Sequence, residues 1–146
     1  MKRTTKAVAG LAAGTVMAAG LSLATVVPAQ AADVDYWSAD NQLRGTGYFN
    51  ADPGDYRDAP GDAIRACDWL ADGYGIEAQL DVNVATVPGP FHADRTISTA
   101  GHQAGSSGYC TGWKAKDIDE GTFVALRVCK VKDGTRSCGR PMQLVA

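Results

Sequence analysis

Few side chains in this sequence could do covalent chemistry, and their spacing narrows them further. His92 and His102 are the only histidines, and both fall in a loop-rich stretch. With Ser106, Ser107 and several aspartates they offer the parts of a nucleophile, a base and an orienting acid. The segment Ala104-Gly105-Ser106-Ser107-Gly108 comes close to a nucleophile elbow, but Ala stands where the first Gly belongs and no strand-then-helix context surrounds it. A plain Gly/Ser loop is the expectation. His92, Asp94 and His102 could reach for a metal, yet the H-E-x-x-H spacing is missing. Beyond residue 31 the glutamates are Glu77 and Glu120, whereas a two-carboxylate hydrolase needs one acid in an apolar setting. Glu77 lies on the polar phase of an alternating segment and Glu120 in an Asp-rich turn. The pattern predicts no catalytic residue and no enzyme.

Asn50, Asp52, Asp55, Asp58 and Asp62 cluster in a Pro/Gly stretch and could offer oxygens to calcium. The stretch has no Gly at the sixth EF-hand position and no acid at the twelfth, so turn-forming aspartates are expected instead. No metal and no cofactor is implied. The aromatic residues carry the binding hypothesis. Tyr36, Trp37, Tyr48, Tyr56 and Trp113 lie near termini or loops, and flat rings there can stack on sugar faces or anchor a protein partner. Tyr36, Trp37, Tyr56 and Trp113 are the candidate ligand-binding residues. Trp69, Tyr74 and Phe123 fall within strand-like segments and are expected in the core.

Such residues need a scaffold, and the cysteines say most about it. Four cysteines in an exported chain imply two disulfides, with three pairings open. Asp133-Gly134 is a two-residue hairpin signal, because a type I′ turn needs two residues at positive φ. Centring a hairpin there sets Lys132 opposite Thr135 and Cys129 opposite Cys138. That pair is of the non-hydrogen-bonded kind, where Cα atoms approach to about 4.5 Å and a disulfide can span them. Cys67–Cys110 follows by elimination. A zinc site made of all four cysteines would need reduced thiols and has no C-x-x-C pair.

Around the cysteines, alternation points to strands. Tyr74, Ile76, Ala78, Leu80, Val82 and Val84 share one phase while mostly polar residues share the other, which predicts a half-buried strand over 74–85. Thr122–Val131 is dense in apolar and β-branched residues. Weaker strands are expected at Arg44–Asn50, Ile64–Trp69, Arg95–Thr99 and Cys138–Val145, separated by Gly- and Pro-rich turns. No helical period persists. The expected fold is all-β, a small antiparallel β-sandwich (Ig-like or barrel-like) with two disulfides.

The N-terminus reads differently. Lys2, Arg3 and Lys6 precede a weakly apolar run from Ala7 to Val27, then Pro28 and the small-x-small signature Ala29-Gln30-Ala31. This predicts a secretory signal peptide over residues 1–31, since a permanent anchor calls for a more hydrophobic run. An N-terminal extension over 32–43 and a sandwich domain over 44–146 complete the expected organisation. The full 146-residue chain has a formal net charge of −2, but residues 32–146 carry 11 basic and 16 acidic side chains, a net of −5. Such acidity argues against a nucleic-acid binder, and the size argues against several domains. Residues 33–95 hold a net of −8 and residues 96–146 a net of +3.

Cys67-Asp68, Ala71-Asp72-Gly73-Tyr74-Gly75-Ile76-Glu77-Ala78 and Arg127-Val128-Cys129 together resemble a pattern in small exported proteins of Streptomyces and related actinobacteria. In that group an alternating strand follows an A-D-G-x-G-V segment and a late R-V-C strand leads to a closing cysteine; here Ile76 takes the place of Val. The resemblance implies a β-rich, disulfide-linked, extracellular domain and carries over no activity or functional residue. The cysteine gaps of 42, 18 and 8 residues do not look like those of actinobacterial protease inhibitors or carrier apoproteins. The expectation is a secreted, monomeric, non-catalytic protein that binds an unknown extracellular protein or polysaccharide, with no nucleic acid and no membrane after signal cleavage. A secreted protease inhibitor is one alternative, with Thr135–Ser137 beside Cys138 or Ser107–Tyr109 beside Cys110 as its loop. A carbohydrate- or cell-wall-binding module is the other, through Trp37 or Trp113.

Overall fold

The computed structural model describes residues 31–37, 39–54, 56, 58–82, 84, 89–101 and 107–146. Apart from Ala31, the expected signal peptide lies outside them, as do His102, Ser106 and Asp55. Among the described residues there are strands and no helix, as expected of an all-β chain, and no helix is long and apolar enough to cross a membrane. The strands are β1 (Ala32–Trp37), β2 (Leu43–Asn50), β3 (Ala63–Asp68), β4 (Gly75–Val82), β5 (Arg95–Ser98), β6 (Tyr109–Cys110), β7 (Lys114–Ala115), β8 (Phe123–Lys132), β9 (Thr135–Cys138) and β10 (Met142–Val145).

They form two five-stranded antiparallel sheets. In the first, β1, β2 and β3 run in order and β3 shares its other edge between β6 and β7. In the second, β5 lies beside β4, β4 beside β8, and the outer edge of β8 is shared between β10 and β9. Residues 138–145 therefore make two short strands rather than one. Gly139 still donates its N–H to the Val128 carbonyl at 2.9 Å, but Pro141 has no N–H to give a ladder, and strand pairing resumes only at Met142. Residues 32–43, expected to precede the sandwich, supply its edge strand β1.

Between the sheets lie Phe49, Ile64, Ala66, Ile76, Ala78, Leu80, Val124, Leu126, Val128 and Leu144. Small residues let the sheets approach: a Cβ at Gly47 would stand 2.6 Å from Val128 Cγ2 and 3.1 Å from Ala78 Cβ. Hydrogen bonds tie both flanks of the sandwich. Tyr36 on β1 donates its hydroxyl to Ser137 Oγ on β9 at 3.1 Å. On the other flank Arg95 donates to the Asp62 carbonyl at 2.8 Å and Lys114 to the Thr96 carbonyl at 2.9 Å. Burial draws the Arg95 guanidinium below its ordinary value, against the opposing pull of Asp62, Asp94 and Asp117.

The alternating segment is a strand, but it is buried on both faces rather than one. Glu77, Gln79 and Asp81 on its polar phase are 4%, 5% and 8% exposed. β4 is central, and side chains from its neighbours cover that face. Arg136 donates to Glu77 at 2.8 Å, Arg127 donates to Gln79 Oε1 at 2.7 Å, and the His92 backbone N–H donates to Asp81 at 2.6 Å. Phe91 lies over the Arg127 guanidinium, 3.9 Å from Cζ to the ring centroid. Paired and bonded in this way, the polar groups can be buried without being orphaned.

The disulfides fall where the hairpin places them. Asp133 and Gly134 have φ of 49° and 77°, Lys132 faces Thr135, and Cys129 is bonded to Cys138 across a Cα separation of 3.9 Å. Cys67–Cys110 is the second bridge, and it too joins directly opposed residues of paired strands, β3 and β6.

Candidate functional site

The outward face of the first sheet gathers the aromatic residues. On β2 the inward phase is Gly45, Gly47 and Phe49, so Thr46, Tyr48 and Asn50 point outward. On β3 the outward residues are Ala63, Arg65 and Cys67. The register then aligns Asp33, Tyr48 and Arg65 in one row across three strands. Asp33 is exposed, and Tyr48 and Arg65 are half-buried.

Two loops bring further rings to this row. Tyr56 comes from the 51–62 loop, with its ring centroid 5.5 Å from that of Tyr48 at an interplanar angle of 82°. Trp113 comes from the connection between β6 and β7, 5.8 Å from Tyr56 at 32° and 6.4 Å from Tyr48 at 68°. Edge-to-face and tilted contacts at these distances are the favourable ones for aromatic rings. The Arg65 guanidinium carbon lies 5.7 Å from the Trp113 ring centroid, within cation–π range. Arg65 Nε is buried and has no hydrogen-bond partner. Further along the face, Trp69 donates its indole N–H to Thr46 Oγ1 at 2.9 Å, and Thr46 donates to Asp35 at 2.8 Å.

Of the four candidate binding residues, the structure therefore brings Tyr56 and Trp113 together and separates the other two. Tyr36 is on the inward phase of β1 and packs against the core. Trp37 is 52% exposed but pairs with Leu43 at the far end of β1 from Asp33, beyond a register shift. Tyr48 and Arg65 join the site in their place. The expected core position of Tyr74 and Phe123 is corrected: they are 36% and 48% exposed, Tyr74 lying just before β4 and Phe123 at the first position of β8. Trp69 is half-buried on the outward face, held by its bond to Thr46.

The remaining candidates take structural places. Asn50 is fully buried, and its amide donates to the carbonyls of Asp52 and Pro60 at 2.7 and 2.8 Å, stitching the aspartate-rich loop shut. Asp62 accepts from the Ile118 N–H at 2.8 Å. Among the described residues no group of three or more metal-capable side chains exists. The His92 side chain is 87% exposed, with Asp94 at 3.5 Å. Glu77 is occupied by Arg136, and Glu120 is exposed in a turn. Thr135–Ser137 belong to β9, and Tyr109 to β6, so both stretches proposed as inhibitor loops are wholly or partly strand.

A cleft of about 420 Å³ lies at the hairpin end of the second sheet, lined by Leu70, Tyr74, Gly75, Gly101, Lys132 and Asp133 among others. Lys130 and Lys132 both rest against the Tyr74 ring there, 4.2 and 4.7 Å from its centroid. The aromatic face is the richer site. It combines three rings, a cation whose side chain has no hydrogen-bond acceptor among the described residues, and an exposed acid on one surface, which suits contact with a ligand that has both apolar faces and polar edges. The chain matches no protein-family model, no curated protein and no solved structure.

Proposed function

We propose that this protein is a secreted, non-catalytic domain that binds an extracellular polysaccharide on the outward face of its first sheet. The observation that carries the reading is the cluster of Tyr48, Tyr56 and Trp113 on the outward sheet face, flanked by Asp33 and Arg65. A pyranose ring has apolar C–H faces and hydroxylated edges. Aromatic rings meet the first, and a carboxylate and a guanidinium at the margin meet the second. Secretion is supported by the N-terminal signal pattern and by two disulfides, which persist in oxidising compartments. A non-catalytic role is supported by the buried carboxylates of Glu77, Asp81 and Asp68, each of which accepts a hydrogen bond from within the chain.

Retention on insoluble chitin, cellulose and peptidoglycan tests the reading. The wild-type domain is expected to sediment with at least one of them. Trp113→Ala should lose about 1–2 kcal/mol of binding, roughly five- to thirty-fold in Kd. Trp37→Ala, at the other end of β1, should bind like wild type. Failure to bind any polysaccharide, insoluble or soluble, or equal loss from both variants, would sink the proposal.

A further inference from the structure

Arg65 is the feature of this face that the chain itself leaves unexplained. The other partly buried arginines each have acceptors: Arg44 has Asp40 and Asp72, Arg95 has two backbone carbonyls, and Arg127 has Gln79. Half-exposed Arg136 has Glu77. The Arg65 side chain makes no hydrogen bond among the described residues, although its Nε is out of contact with water. Nε alone of its side-chain nitrogens is both buried and without a partner, and the guanidinium carbon lies 5.7 Å from the Trp113 ring centroid. The acid in its own row, Asp33, lies two strand spacings away, roughly 10 Å. Asp35 and Asp62 are already engaged with Thr46 and Ile118.

A guanidinium that is half desolvated, unpaired and set against an indole is costly to the free protein. It is poised for an acceptor supplied from outside. Its planar fork matches a carboxylate in a two-pronged hydrogen bond, and partial burial strengthens that bond. We infer that the ligand of this face carries a carboxylate and that Arg65 binds it, which makes the ligand class an acidic polysaccharide with carboxyl-bearing sugars. The inference rests on the saccharide reading above and names its chemistry. The carboxylate of one sugar lies in the plane of the Arg65 fork while Trp113 and Tyr56 hold an adjacent ring face. Asp33, at the other end of the row, accepts from hydroxyl groups and disfavours a second acid there.

Native affinity electrophoresis of the whole domain tests this with matched pairs of soluble polymers. One pair is polygalacturonate and its full methyl ester, and the other is carboxymethylcellulose and hydroxyethylcellulose. Polyglutamate and dextran sulfate complete the panel. Wild type should be retarded at least tenfold more strongly by the acid than by the neutral member of a pair. Arg65→Met should erase that difference, lowering retardation by the acid to that by its neutral partner. Arg65→Lys should keep part of it, since the charge remains and the fork is lost. A thermal melt of each variant confirms that it is folded. Equal retardation by acid and ester, or an unchanged preference in both variants, overturns the inference and leaves the saccharide platform standing. Stronger retardation by dextran sulfate overturns the carboxylate in favour of sulfate, and equal retardation by polyglutamate overturns the saccharide class. No retardation by any polymer, together with no sedimentation on the insoluble ones, overturns the platform itself.

Discussion

Asp68 closes β3 with a carboxyl that is 2% exposed, and its Oδ1 accepts the Leu70 N–H at 3.1 Å. Burial pushes this carboxyl above its ordinary range; the Leu70 N–H pulls it back, and the nearby Asp72 adds to the push. The folded chain thus holds this proton more tightly than the unfolded chain does. Its contribution to stability is complete below the ordinary carboxyl value and is lost as pH rises through the raised one. Asp68→Asn keeps an acceptor for Leu70 and cannot ionise. Urea midpoints across pH 3 to 8 should show a shallower decline for this variant and a higher midpoint at neutral pH. A steeper decline would contradict the assignment. Among single residues of the site, Tyr56 and Trp113 were legible from sequence because rings in Gly- and Pro-rich connections have few places to hide. Arg65 was not. Its position in Ala63-Ile64-Arg65-Ala66 reads as an ordinary outward residue, and nothing local announces that a tryptophan from a distant connection will lie beside it.

Strand by strand, the chain could be read wherever its alternation ran long enough. β4 and β8 announced themselves by period, and the hairpin joining β8 to β9 by Asp133-Gly134. β6 and β7 have two residues each, too few for any period to show, and exist because β3 offers them an edge. The double burial of β4 was also hidden, since its polar phase is covered by arginines from other strands rather than by apolar side chains. The spacing between the sheets depends on residues that a sequence reading passes over. A Cβ at Gly45 would collide with the Ile76 side chain and stand 2.5 Å from the Cys67 carbonyl oxygen, which belongs to the backbone of β3. Gly47 meets mainly the side chain of Val128, which can turn away. Both Gly45→Ala and Gly47→Ala should destabilise by about 1–3 kcal/mol, as overpacking does. Gly45→Ala should be the worse of the two, because its obstacle is backbone. Denaturant midpoints at an unchanged slope are the measurement, and a reversed order would contradict this account of the packing.

For the molecule as a whole, charge and ligand pull in opposite directions. Residues 32–146 carry a net of −5, yet the proposed ligand is a polyanion. Long-range repulsion should slow the encounter while Arg65 holds the bound state at close range. Salt screens the first more than the second, with a Debye length of about 8 Å at physiological ionic strength. Binding of polygalacturonate should therefore hold or strengthen as salt rises from about 0.01 M towards 0.15 M. A basic-patch binder would weaken steeply over that range, and such a fall here would argue for a different binding surface. The pairing of the cysteines has a consequence in another realm, that of synthesis. First joins second and third joins fourth, with no bridge enclosing or crossing the other. If exported N-terminus first, as proposed, the chain presents Cys67 and Cys110 before either remaining thiol reaches the outside. Bonds made in order of appearance are then the native ones. On the proposed export route, maturation should then depend on the supply of oxidant far more than on a disulfide isomerase.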